Sequence, residues 1–404
     1  MNDQEAPVRP LAGIRVIDCA TFIAAPFCGT LLAEFGAEVI KVELPEVGDP
    51  LRNFGTRTDC GETLVWLSEA RNKKSVTLDL RTPEGAALFK RLVAEADVVC
   101  ENFQTGTLEG WGLGHDVLAE INPALVMLRV TGYGQTGPYA GRPGFGRIAN
   151  AFGGLAFLAG YPDRPPVTPG SATLPDYMSG LFGAFGVLLA LRARERTGRG
   201  QVIDIGLYES IFRILDELAP VYDQTGFVRQ RMGPGTVNSV PHSHYSTADD
   251  RWLAIACTSD KIFARLADLM GVAELAGEGR FGTTEQRQAA REEVDALVQD
   301  WTGGLPRDEV LRLCEQAQVP CGSVYAIDEI FEDPQFQARE NLYQIEDERL
   351  GPLKVPNVMP RLTETPGGID HLGVGLGAHV AEIFGGLLGL DEAEIAELRE
   401  KGVI

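Results

Sequence analysis

Asp176 stands in the stretch PGSATLPDYMSG, directly after a proline and between a proline-punctuated loop and an apolar run. Pro175 suits the first turn of a helix, and a carboxylate at that turn faces the positive end of the helix dipole. Such a setting favours an ionised carboxylate able to act as a nucleophile. An acid that only stabilises its own helix start shows the same local pattern, so both readings stand at this level.

Other residue groups invite chemistry of their own. Arg71, Lys73, Lys74 and Arg81 are concentrated in ARNKKSVTLDLR, which suits either a phosphorylated ligand or a solvated charged edge. ENFQTG follows an apolar strand, where open α/β sheets bind ligands: Asn102 could hydrogen-bond one and Phe103 could stack on a base, while a plain strand-to-helix turn reads identically. His242 and His244, two residues apart, share a face of an extended segment. No neighbouring Cys, Asp or third His completes a ligand set, so no metal is expected there and a substrate-facing polar loop is the other reading. A serine hydrolase is disfavoured because there is no GxSxG elbow. Seven scattered cysteines without a CxxC read as reduced, mostly buried thiols.

These residues need elements to hold them. IRVID, a helix begun at Pro26 in PFCGTLLAEFG, and AEVIKVE form a strand–helix–strand unit over residues 14 to 43. Further apolar strands are expected near Ser75–Leu80, Asp97–Cys100 and Leu125–Val130, with a helix over Pro83–Ala96. The fold class is therefore α/β, a parallel sheet covered by helices. A long apolar helix over Tyr177–Arg196 leads through TGRGQ into VIDIGL. A smaller α/β region opens with MGPGTVNSVPHSHY and continues through RWLAIAC, and a loop-rich tail carries GPLKVPNVMP before a last helix near Asp391–Lys401. The division expected is 1–224, 225–329 and 330–404, the tail returning to the larger domain. Glu43 lies where dinucleotide-binding folds place a ribose-binding acid. The turn before it, CATFIAAPFCG, lacks GxGxxG, so a Rossmann-like fold without NAD or FAD is expected.

With 404 residues and 44% hydrophobic content the chain can build real cores. Its 57 acidic against 36 basic residues argue against nucleic acid or an anionic membrane as partner. The N-terminus has no basic-then-apolar signal, and the longest apolar runs are broken by Gly and followed by charge, so a cytoplasmic protein is expected.

Taken together, PLAGIRVIDCATFIAAPFCGTLLAEFGAEVIKVE, NKKSVTLDLRTPEG, ADVVCENFQTGTLEGWGL, VTGYGQTGPYAGRPGF, LPDYMSG, RTGRGQVIDIGLYE and VPCGSVYAIDEIFEDPQF resemble the class III coenzyme A transferases, of formyl-CoA transferase and carnitine-CoA transferase type. The match runs in order over nearly the whole chain. What the resemblance implies is a Rossmann-like large domain, a smaller α/β domain and two interlocked ring-shaped chains, as a homodimer, a higher oligomer or a heteromer with a paralogue. It implies Asp176 as the catalytic aspartate, and coenzyme A contacts at Ile23, Ala24, Leu78, Asp79, Leu80, Arg81, Asn102, Phe103 and Gln104, with Phe145 and Gly146 near the thioester. No tightly bound cofactor is expected: coenzyme A thioesters and a carboxylic acid are the substrates. Arg142, Arg147, His242 and His244 are the candidates to pair with a second carboxylate, pointing to succinyl-CoA and a malate-, citramalate- or itaconate-like acid. The GPGTVNSVP loop is the expected cover and oxyanion donor. An α-methylacyl-CoA racemase of the same fold would need a second base in RPGFGRIAN, where this chain has Phe145 and Gly146 and no histidine. A non-catalytic coenzyme A-binding partner subunit is the other alternative.

Overall fold

Pairs of adjacent residues along the first strands divide between two cores. Val16, Val39, Val98 and Val126 belong to one buried cluster, and Ile17, Ile40, Val99 and Met127 to another. Successive side chains of a strand point to opposite faces, so this split means a sheet buried on both sides. The computed structural model describes residues 8–168, 170 and 173–404. It shows six parallel strands, β1 (Arg15–Asp18), β2 (Glu38–Glu43), β3 (Lys73–Thr77), β4 (Val98–Glu101), β5 (Val126–Thr131) and β6 (Val202–Gly206). Their order is β3-β2-β1-β4-β5-β6. This is the order of dinucleotide-binding sheets, and it reverses direction between β1 and β4, which opens a crevice at their carboxyl ends.

Helix Ala24–Glu34 joins β1 to β2, and helix Pro83–Ala94 joins β3 to β4. The second begins at Pro83, as its sequence predicts, and Thr82 accepts the backbone N–H of Gly85 as its cap. The long helix Leu174–Thr197 runs from the crevice into β6. One stripe, Ser179, Gly180, Gly183, Ala184, Val187, Ala190 and Leu191, is buried. Gly180 is needed there: a Cβ would come within 2.6 Å of the Ala24 carbonyl, so the two helices touch backbone to backbone. The helix is long and apolar enough to cross a membrane, but its small-residue face is part of the sheet's own core.

Contacts divide the chain into two compact units, one of residues 1–156, 168–226 and 337–404, the other of 157–167 and 227–336. The second is built on an antiparallel sheet, β7 (His242–Ser246), β8 (Trp252–Ala256) and β9 (Cys321–Ser323), with its own core around Phe263, Leu266 and Val298. In the first unit the C-terminal segment packs Val380, Phe384, Ile395 and Val403 into the sheet's core. GPLKVPNVMP, read from its prolines as loop, departs from expectation. Leu342–Asp347 (β10) and Gly351–Pro356 (β11) pair as an antiparallel hairpin. A two-stranded ribbon leaves one edge of each strand unpaired, so Pro352 and Pro356 break no continuous ladder.

Candidate active site

Two adjoining clefts open at the carboxyl end of the parallel sheet. The first, about 280 Å3, is walled by Glu43, Leu78, Asp79, Leu80 and Arg81. The second, about 300 Å3, contains Asp176 with Asn102, Gln104, Arg142 and Phe145. Thr21 and Phe103 line both, so the clefts meet at the β1/β4 switch point.

The first cleft is set by ion pairs underneath it. Lys41, fully buried on β2, lies 2.9 Å from Asp49 and 3.5 Å from Asp18, and Lys73 lies 2.9 Å from Asp18. Burial alone would raise the Asp18 carboxyl, but Lys41 and Lys73 outweigh it and hold it below the usual range. Asp49 in turn accepts the N–H of Phe22 at 3.0 Å, pinning that residue at a φ of +61°. An aromatic residue with positive φ is strained, and such strain persists only where surrounding contacts fix it. Glu43, at the ribose-acid position, is spent. It accepts bonds from Arg52 at 2.7 and 2.9 Å, Ser75 at 2.6 Å and the N–H of Asp49 at 2.9 Å. Three of the four cations of the basic cluster are committed to carboxylates distant in the sequence. Arg71 binds Glu34, Lys73 binds Asp18, and Lys74 binds Glu38 and Glu382. Arg81 remains exposed at the cleft, paired at 2.7 Å with Asp79, while Leu78 and Leu80 are buried in its wall. The tail fixes this wall from behind, the N–H of Asp79 donating to the Val403 carbonyl at 2.8 Å.

The second cleft is framed by the loops after β1, β4 and β5 and by the start of the long helix. Asn102 uses both ends of its amide on the backbone of Thr21: Oδ1 accepts the N–H at 2.8 Å and Nδ2 donates to the carbonyl at 2.7 Å. Its side chain thus ties the β1 and β4 loops together. Phe103 is set by Glu101, which accepts its N–H at 2.7 Å, and by an edge-to-face contact with Trp111. Gln104 donates to the Gly141 carbonyl at 2.6 Å. Ala24 lines the cleft, whereas Ile23, expected beside it as a ligand contact, packs its side chain with Leu51, Trp66 and Ala70. Thr21, Thr105 and Thr131 also face this cleft and were not singled out in the sequence. Among the described residues the hydroxyls of Thr105 and Thr131 are buried without a partner.

Asp176 sits in the third position of its helix, half-buried, and Thr173 donates a hydrogen bond to its Oδ2. Burial raises the Asp176 carboxyl above the ordinary range, opposed by the Thr173 hydroxyl and by the backbone. Gly146, buried, opens the helix Gly146–Phe152 against this carboxylate. A Cβ there would overlap both Asp176 Oδ2 and Thr173 Oγ1. Phe145 beside it is 69% exposed and lines the cleft.

The four residues expected to hold a second carboxylate are not placed alike. Arg142 lines the Asp176 cleft, its guanidinium stacked 3.6 Å over Tyr139. Arg147 is exposed, lies 3.4 Å from the Thr168 hydroxyl and does not line the cleft. His242 and His244 are on β7 of the second unit, the first half-buried and the second exposed. In that unit the GPGTVNSVP segment, expected as a mobile cover, is anchored by its carbonyls. Thr236 accepts from Arg291 at 2.6 Å, Val237 from Gln288 at 3.2 Å and Val240 from Arg287 at 2.7 Å. A larger recess of about 680 Å3 lies along Phe182, Tyr208, Phe212 and Leu215 and is mainly apolar.

Known proteins resemble this chain over most of its length. Residues 11–380 match the model of CoA-transferase family III. The chain is 57% identical to the succinyl-CoA–L-malate CoA-transferase beta subunit of Chloroflexus aurantiacus, covering 98% of each chain. It is 48% identical to the succinyl-CoA–D-citramalate CoA-transferase of the same organism over 100% of both. Among solved structures, a CaiB/BaiF family protein from Brucella suis superposes with a TM-score of 0.82 at 37% identity, covering 94% of this chain and 99% of that one. With its sheet order, its paired clefts and its match over most of its length, the chain belongs to CoA-transferase family III.

Proposed function

We propose that this enzyme moves coenzyme A from succinyl-CoA to a small dicarboxylic acid of the malate or citramalate type, with Asp176 as the temporary acyl carrier. The observation that carries the reading is the raised, half-buried Asp176 carboxylate in a cleft that joins, through Thr21 and Phe103, the one walled by Leu78–Arg81. A pantetheine arm crossing from the first cleft would bring its thioester to the carboxylate. Asp176 attacks the thioester carbonyl, the C–S bond breaks, and coenzyme A leaves as thiolate from a mixed anhydride. The thiolate then attacks the aspartyl carbon and releases the donor acid, giving an aspartyl-CoA thioester, and the acceptor carboxylate runs the two exchanges in reverse. Each step trades one activated acyl bond for another. Water must be kept out, because the anhydride hydrolyses readily, and the burial around Asp176 serves that need.

The substrate reading is supported by the names of the two Chloroflexus relatives and by Arg142, exposed in the cleft and suited to a distal carboxylate. Racemisation is disfavoured because RPGFGRIAN, the segment that would supply a second base, holds no histidine, and at Gly146 a Cβ would overlap Asp176 Oδ2. A partner subunit is also part of the reading. Leu181, Phe185, Leu188 and Leu189 form an exposed stripe on the long helix, and the relative's own name calls it a beta subunit. The chain works as a homo-oligomer or with a paralogue, in the cytoplasm, where its seven free thiols, five of them buried, are kept reduced. A panel of mono- and dicarboxylic acids with succinyl-CoA, followed by mass spectrometry of the CoA esters, tests the assignment. Transfer to dicarboxylates is expected; acceptance of monocarboxylates alone would overturn it.

A further inference from the structure

Thr173 and Asp176 occupy the N-cap and third positions of the long helix, the two places at which side chains and backbone N–H groups usually satisfy one another. Here Thr173 makes no side-chain cap bond. Its carbonyl still accepts the N–H of Tyr177 at 3.3 Å, so the helix begins in the ordinary way. The hydroxyl has been diverted: it donates to Asp176 Oδ2. Gly146 closes the other side, since a Cβ there would overlap both oxygens. Oδ2 is thereby enclosed between a donor and a backbone, while Asp176 as a whole lines the cleft.

We propose that Thr173 is a catalytic hydrogen-bond donor that selects Oδ1 of Asp176 as the attacking oxygen and then stabilises the negative charge that develops on Oδ2. The proposal rests on the reading of Asp176 as acyl carrier. In the first exchange a lone pair of Oδ1 forms the bond to the thioester carbonyl carbon, and the C–S pair departs with coenzyme A. Oδ1 now bridges the anhydride and Oδ2 is the aspartyl carbonyl oxygen. When the thiolate adds to Cγ, the carbonyl π pair moves onto Oδ2, where the Thr173 hydroxyl already points. Collapse restores the carbonyl, breaks Cγ–Oδ1 and releases Oδ1 within the donor carboxylate. No proton moves. The same donor serves the acceptor's attack on the aspartyl-CoA thioester, because charge again develops on Oδ2. A donor fixed before the charge appears needs no reorganisation at the moment of reaction.

Thr173→Val keeps the shape and removes the donor. The expected result is a kcat reduced about 10²-fold, the scale of losing one oxyanion donor, with KM for the CoA ester within a few-fold. The burst of Asp176-bound coenzyme A, read by mass spectrometry of acid-quenched enzyme, should slow to match. The acid limb of the kcat/KM profile should move to higher pH, since the hydroxyl lowers the carboxyl's pKa. Thr173→Ser should restore kcat to within about threefold of the parent. Thr173→Ala is carried through the same measurements where the valine variant does not fold. An unchanged kcat and burst in the valine or alanine variant, or a serine variant as impaired as they are, would overturn the proposal. Asp176→Asn separates the two claims: if it still transfers coenzyme A the carrier reading itself fails, whereas an inactive Asp176→Asn beside a fully active Thr173→Val removes only the role of Thr173.

Discussion

The two clefts at the end of the parallel sheet are made of different material. Beneath the first, every charged group has a fixed partner: Glu43 takes four hydrogen bonds, and Lys41, Asp18, Lys73 and Asp49 form one buried array. In the second, the Thr105 and Thr131 hydroxyls are buried without partners among the described residues, Arg142 leans on a ring rather than a carboxylate, and burial raises Asp176. On the proposed reading this division is physical: a wall that holds a ligand's shape gains from completed pairs, while a reacting site keeps unsatisfied groups and a destabilised acid for the reaction to use.

Variants on the two sides should differ in kind. The largest effect is expected from Asp176→Asn, a fall in transfer of at least about 10³-fold with coenzyme A affinity within a few-fold, read by turnover and calorimetric titration. Next is Gly146→Ala, whose Cβ must displace the Asp176 carboxylate. A loss of about 10²-fold in kcat with little change in stability is predicted, in keeping with the sensitivity of a reacting group to small misplacement. On the other side, Lys41→Met should leave Asp18 and Asp49 under-compensated and cost about 3–5 kcal/mol of stability by denaturant midpoint. Asn102→Ala should raise the KM for the CoA ester several-fold and cost about 1–3 kcal/mol, since two backbone groups of Thr21 lose their partner.

The smallest effect concerns pH and has a definite sign. Because Asp176 has a higher pKa folded than unfolded, the native state holds its proton more tightly. Its contribution to stability is complete below the unfolded value, about 3.9, and is lost as pH rises through the folded value. Asp176→Asn should therefore melt slightly higher than the parent at neutral pH, with the gain vanishing near pH 3. An equal Tm at neutral pH would show that the carboxylate is not destabilised by its surroundings.

How far the sequence reaches also differs between the clefts. Asp176, Pro175 and the start of the long helix were legible because the signal is local: a proline, an acid and an apolar run in sequence. The strand–helix alternation was legible for the same reason. The fate of ARNKKSVTLDLR was not, since Arg71, Lys73 and Lys74 are neutralised by Glu34, Asp18, Glu38 and Glu382, all distant in the chain. Nor could spacing show that Asn102 would serve the backbone of Thr21, or that Ile23 would turn into the core. The β10–β11 hairpin was hidden by its prolines, which mimic loop composition. Thr173 escaped notice because an N-cap threonine is ordinary; only the direction of its hydroxyl distinguishes it.

The central claim is that the side chain of Asp176 becomes covalently loaded during transfer. Enzyme mixed with succinyl-CoA alone, quenched in acid, digested and sequenced by mass spectrometry should yield the peptide spanning Asp176 with coenzyme A attached through its carboxyl, discharged on adding malate. A peptide that stays unmodified while transfer proceeds, or an adduct on any other residue, would contradict the account.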